Sequence, residues 1–102
     1  MKTENLSHLL SQEHFEDIKF YKQPANWIES GFIVTATSAR HINAFINKVK
    51  KMSLIKRNEI EGIASSEWVI LNFHETIVHI FTQEKRNYYQ LDELWEEGVV
   101  NA

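Results

Sequence analysis

The chain has 102 residues, 43% hydrophobic and 25% charged, with one Pro, three Gly and no Cys; 11 basic side chains against 14 acidic ones leave it formally at −3. A chain of this size makes one compact domain over residues 1–102 and excludes two, burying roughly two-thirds of the surface its unfolded form exposes. Without cysteine there is no disulfide framework, thiolate metal site or cysteine nucleophile, so the cytoplasm is the expected setting. No apolar run approaches the roughly 18 residues of a membrane span, and the opening residues lack the apolar stretch of a signal peptide, so no membrane association is expected.

The elements read in chain order. Leu6, Leu9, Leu10 and Phe15 carry the spacing of an amphipathic helix over 1–14, with Thr3 as its cap. Residues 17–22 alternate as a half-buried strand does, and a Gln-Pro-Ala-Asn turn precedes a second strand, Gly31–Ala36. Thr37 or Ser38 then caps a helix of about fourteen residues whose stripe is Ile42, Phe45, Ile46, Val49 and Met52. A short strand at Ile60–Gly62 leads to a hairpin of Trp68–Phe73 and Thr76–Thr82, both rich in aromatic and β-branched residues. Thr82 is expected to cap a short helix ending at Tyr88-Tyr89, followed by an apolar patch of Leu91, Leu94 and Trp95 and a short acidic tail over 96–102. A helix between strands implies a parallel crossover and the tight turns imply antiparallel pairs. The fold class is therefore α/β, a mixed sheet of about five strands flanked by helices.

Charge is polarised along the chain. Lys48, Lys50, Lys51, Lys56 and Arg57 form a stretch with no acid, whereas the residues after Arg86 carry Asp92, Glu93, Glu96 and Glu97 with no base. A solvated helix face accounts for such a run, and separate basic and acidic surfaces also suit a protein that docks on a nucleoprotein surface.

No set of residues reads as a catalytic or metal centre. His74 to His79 resembles a zinc-binding His-Glu-x-x-His helix but has one residue too many and lies on a hairpin, so neither a metal nor a cofactor is expected. His79, among Ile77, Val78, Ile80 and Phe81, reads as a histidine packed in the sheet. Thr37, Ser38 and Arg40, between a strand and a helix, could hold an anion or a vestigial nucleotide, but no glycine lets backbone approach phosphate. Asp17 and Asp92 are the two aspartates and stand far apart, which argues against a magnesium-holding carboxylate pair. A Ser38–His79 hydrolase pair lacks the Gly-x-Ser-x-Gly elbow.

Residues 61–73 and 76–95 closely resemble the ribosomal silencing factor, or Iojap-like, family. The ordered positions are Glu61, Gly62, Trp68, Ile77, Val78, His79, Ile80, Phe81, Arg86, Tyr89, Leu91, Asp92, Leu94 and Trp95, and the resemblance extends over about residues 4–96. The chain departs from the family pattern at Ala36, where a glycine is usual, at Ser30 and Gly31, at Asn72, where an aspartate is common, and at the His74-Glu75 turn. That turn lacks the glycine a two-residue hairpin favours, so a longer or bulged turn is expected.

The resemblance implies a nucleotidyltransferase-like fold without the catalytic apparatus, and a binding protein rather than an enzyme. It implies docking on the large ribosomal subunit through ribosomal protein L-fourteen, which blocks small-subunit joining and represses translation, and a homodimer or monomer–dimer equilibrium. Candidate partner contacts are Trp68, Glu75, Arg86, Tyr89, Leu91, Asp92 and Trp95, with the acidic tail steering docking on a basic ribosomal protein and Lys48, Lys50, Lys51, Lys56 and Arg57 facing ribosomal RNA. The alternative is a nucleotide-binding enzyme or vestigial nucleotidyltransferase using Thr37, Ser38 and Arg40.

Overall fold

A computed structural model of the chain describes residues 3–21, 31–62, 67–73, 76–89 and 99–101. The first helix, α1 (Thr3–Gln12), begins at Thr3 and buries Leu6, Leu9 and Leu10. It closes with His14 in the left-handed region (φ 66°), where the His14 N–H donates to the Ser11 carbonyl and the Phe15 N–H to the Leu10 carbonyl, both at 3.3 Å. This is a helix stop normally supplied by glycine. It swings Phe15 inward, edge-on to Phe45 at 4.8 Å and stacked on His41 at 4.4 Å.

Strand β1 (Glu16–Tyr21) is bulged: Glu16 lies opposite Thr35 and Lys19 opposite Ile33, with Asp17 at φ 46° inside the irregularity. Strand β2 (Gly31–Ala36) has the bounds expected and is buried at every position, as a central strand must be. Helix α2 (Ala39–Lys51) starts on Ser38, whose Oγ accepts the His41 N–H at 3.2 Å, and buries Ile42, Phe45, Ile46 and Val49. Met52 leaves this stripe. It is the C-cap, half exposed, because Ser53 turns left-handed (φ 59°) and the Leu54 N–H closes on the Val49 carbonyl at 2.9 Å.

After a 3₁₀ turn (Arg57–Glu59) come β3 (Ile60–Glu61), β4 (Trp68–Asn72), β5 (Ile77–Thr82), α3 (Gln83–Tyr89) and β6 (Val99–Asn101). Gly62 is required where it stands: at φ +84° an added Cβ would lie 2.6 Å from the Trp68 carbonyl oxygen. The β4–β5 ladder is antiparallel up to Asn72 opposite Ile77, and the Phe73 N–H bonds the Thr76 carbonyl beyond it. The turn at 74–75, expected to be bulged, lies outside the described residues, as does the patch of Leu91, Leu94 and Trp95. Thr82 does not cap α3. Its Oγ1 is buried without a hydrogen-bond partner among the described residues, while its N–H extends the ladder to the Glu67 carbonyl.

The sheet is mixed, as expected, and holds six strands in the order β3-β4-β5-β2-β1-β6, with β2 and β5 parallel at its centre. The strand beyond the expected five comes from Val99–Asn101, inside the stretch read as an acidic tail, and pairs antiparallel with β1. Period-2 alternation divides the sheet into two faces. Phe32, Val34, Val69, Leu71, Val78 and Ile80 join α1 and α2 in the main core, whereas Tyr21, Ile33, Phe81 and Trp68 form a second cluster.

Candidate binding face

The second cluster belongs to the side of the sheet opposite α1 and α2. Register sets its composition: Trp68 lies opposite Phe81 and Ile70 opposite His79, so successive pairs on this face are aromatic or apolar. Trp68, half-buried, stacks at 5.1 Å on Phe81, and His79 lies 6.3 Å from Phe81 and 6.4 Å from Trp68. Burial strips water from the His79 imidazole and lowers its pKa to about 4, so it is neutral at physiological pH.

Helix α3 continues directly from β5 and is anchored by Arg86. This side chain, expected at the sheet edge as an interface contact, instead turns inward and is 4% exposed. Its Nη1 donates to the Asp17 carbonyl at 2.6 Å and to Thr35 Oγ1 at 2.9 Å, with the Asp17 carboxylate 3.5 Å away. The guanidinium thus joins α3 to the central strand and to the bulge of β1. Its planar set of donors satisfies two acceptors from different strands at once.

Tyr88 of α3 is 77% accessible, with the Lys85 ammonium 5.8 Å from its ring centre. Gln83 and Asn87 are hydrogen-bonded along the same helix at 3.0 Å. Tyr88 was not singled out in the sequence. A seven-residue helix is too short for an apolar period to show which of its side chains face outward. Tyr89 ends α3; Glu75, Leu91, Asp92 and Trp95 lie outside the described residues. Of the expected partner contacts, Trp68 and Arg86 are brought within one neighbourhood, the first partly accessible and the second buried.

The region expected to hold an anion is already internally bonded. Thr37, Ser38 and Arg40 are exposed at the start of α2, but the Thr37 N–H donates to His41 Nδ1 at 3.0 Å and Ser38 Oγ accepts from the His41 backbone. Because Nδ1 accepts, the imidazole carries its proton on Nε2, which donates to the Glu13 carbonyl at 2.7 Å. His41 therefore ties the end of α1 to the start of α2. The Lys48–Glu13 ion pair at 2.7 Å adds a second tie. Lys48, Lys50, Lys51, Lys56 and Arg57 are all exposed. The first three ride on α2, which packs on the other side of the sheet from Trp68.

The model of the family described as "ribosomal silencing factor during starvation" matches residues 2–101. The chain belongs to the ribosomal silencing factor family. Among its relatives, the mouse protein named mitochondrial assembly of ribosomal large subunit protein 1 is 31% identical over 98 residues, 88% of this chain and 43% of its own length. The ribosomal silencing factor of Halalkalibacterium halodurans is 29% identical over 65% of this chain and 59% of its own length, so the chain spans about half the length of these relatives. A crystal structure from Bacillus halodurans superposes with a TM-score of 0.75 at 21% identity, over 99% of this chain and 100% of that one. A second, from Chromobacterium violaceum, gives 0.72 at 24% identity over 94% of this chain and 88% of that one. Both show that the chain has the fold of those structures. Among the described residues no helix is long and apolar enough to cross a membrane.

Proposed function

We propose that this silencing factor is a cytoplasmic translational repressor that binds the large ribosomal subunit through ribosomal protein L-fourteen and sterically blocks joining of the small subunit. The family match over residues 2–101 carries the reading. The site favours binding over chemistry: it offers a half-buried tryptophan and, on the helix that follows β5, an exposed tyrosine, residue types that dominate protein interfaces. The action is competition by mass action, in which a factor that binds only the free large subunit withdraws it from the joining equilibrium. An interface of roughly 1,200–2,000 Å² suffices for that.

The contact face comprises Trp68, Tyr88 and Tyr89 together with Glu75, Leu91, Asp92 and Trp95. Arg86 acts there as a positioning residue that sets the angle of α3. Exposed Lys48, Lys50 and Lys51 of α2, which packs on the other side of the sheet from Trp68, reach ribosomal RNA together with Lys56 and Arg57, and a homodimer covers the contact face when the ribosome is absent. The internal hydrogen bonding of Thr37, Ser38 and His41 weighs against a nucleotide site at α2. Calorimetric titration with ATP and magnesium is expected to be flat. Light scattering of subunit joining, with and without saturating protein, tests the proposal; unaffected joining overturns it.

A further inference from the structure

The face of the sheet away from α1 and α2 also carries a cavity of about 250 Å³, lined by Asn58, Glu59, Glu61, Ile70, Asn72, Ile77 and His79. Glu61 pairs with Ile70, Ile70 with His79, and Asn72 with Ile77. The floor is therefore made by β4 and β5, and one wall by the edge strand β3 and the 3₁₀ turn before it. The volume falls below the roughly 300–1,000 Å³ of sites for drug-sized ligands. It suits a group the size of one long side chain.

The lining selects by chemistry. Among the described residues it contains no Lys or Arg. Glu59 and Glu61 accept hydrogen bonds and repel anions, and the carboxamides of Asn58 and Asn72 offer carbonyl oxygens. Glu59 is held in place through its Oε1, which accepts the Lys56 N–H at 2.8 Å. Half-buried Ile70 and Ile77 supply apolar surface between these groups. A ligand matching this set is a donor-rich cation on a short alkyl chain. Guanidinium fits better than ammonium, because it is planar, carries five N–H donors and is more weakly hydrated.

We propose that this cavity is a binding site for an alkylguanidinium group, with Glu61 and Asn72 accepting its N–H donors and Ile70 and Ile77 packing on its alkyl chain. The site adjoins the Trp68 cluster on the same side of the sheet and shares Ile70 and His79 with it, but its chemistry does not depend on the ribosomal reading. The same chemistry reaches it either as a free small molecule or as an arginine side chain on a polypeptide.

The test is an amide ¹H–¹⁵N titration of the full chain with ethylguanidinium chloride, with ethylammonium chloride and sodium acetate in parallel at constant ionic strength. Ethylguanidinium is expected to give saturable shifts at Glu61, Ile70, Asn72, Ile77 and His79 with a Kd of about 1–10 mM. Ethylammonium should bind at least about threefold more weakly, and acetate should leave these amides unmoved. Glu61→Gln should weaken ethylguanidinium about fivefold, and Asn72→Asp, which adds a carboxylate at an exposed position, should tighten it about twofold or more. Unsaturated linear shifts, equal affinity for the two cations, or an Asn72→Asp variant that binds no tighter would overturn the proposal. N-acetylarginine methylamide separates the sources. Affinity at least equal to ethylguanidinium assigns the site to a polypeptide arginine, and affinity about tenfold weaker assigns it to a free small molecule.

Discussion

Arg86→Ala is expected to be among the most destabilising single substitutions on the second face of the sheet. The magnitude follows from what the truncation leaves behind. Thr35 Oγ1, on a side chain 2% exposed, and the Asp17 carbonyl both lose the Nη1 donor. A buried polar group left without its partner costs about 1–3 kcal/mol. The Asp17 carboxylate, half exposed and 3.5 Å away, contributes little because water replaces the cation there. Loss of the packed aliphatic stem adds to the effect, so the expected total is about 2–4 kcal/mol. In a domain of this size that lowers the Tm by about 10–25 °C. Arg86→Lys keeps the charge but not the fork and should fall between, at about 1–2 kcal/mol. Urea unfolding followed by tryptophan fluorescence and by far-UV circular dichroism measures these losses. The double variant Arg86→Met/Thr35→Val removes donor and one acceptor together and should recover part of the loss of Arg86→Met alone, since an apolar pair leaves one fewer polar group stranded. A loss under 1 kcal/mol for Arg86→Ala, or no recovery in the double variant, would refute the reasoning.

Gly62→Ala places a Cβ 2.6 Å from the Trp68 carbonyl oxygen at φ +84°; it should cost about 2–4 kcal/mol, and thermal unfolding within 0.5 kcal/mol of the parent would contradict the close approach. His79 is neutral when folded, with a pKa lowered from 6.5 to about 4 by burial, and takes up a proton below pH 6.5 when unfolded. The unfolded chain binds more protons in that window, so the contribution is full above pH 6.5 and about 3 kcal/mol is lost as pH falls to 4. The difference in slope between the parent and His79→Asn isolates it, and identical pH profiles would rule it out. Tyr89→Ala and Trp95→Ala should each weaken co-sedimentation with large subunits more than Glu96→Ala, and equal affinities in folded variants would remove the aromatic assignment.

Much of the scaffold was legible because burial imposes period. Strand β2 and the stripe of α2 were read from apolar spacing alone, and the hairpin from two β-branched runs. What escaped depends on distant partners or on single-residue backbone geometry. Val99–Asn101 is too short to show alternation, and its place beside β1 is set by pairing with Lys19–Tyr21. The bulge at Asp17 and the left-handed stops at His14 and Ser53 fall on residues other than glycine, so no turn signal marks them. Met52 satisfied the helical spacing, yet the helix ended one residue earlier. Arg86 read as a surface cation because its acceptors, Asp17 and Thr35, are 69 and 51 residues away in sequence. The candidate face was legible by residue type at Trp68, but the exposure of Tyr88 needed the helix itself.

The most direct test is the rate and extent of subunit joining, followed by light scattering with purified subunits as the protein is titrated. Joining should fall along the binding curve for the large subunit, and prior association of the two subunits should protect against it. Undiminished joining at saturating protein, with binding to the large subunit confirmed in the same samples, would contradict the account.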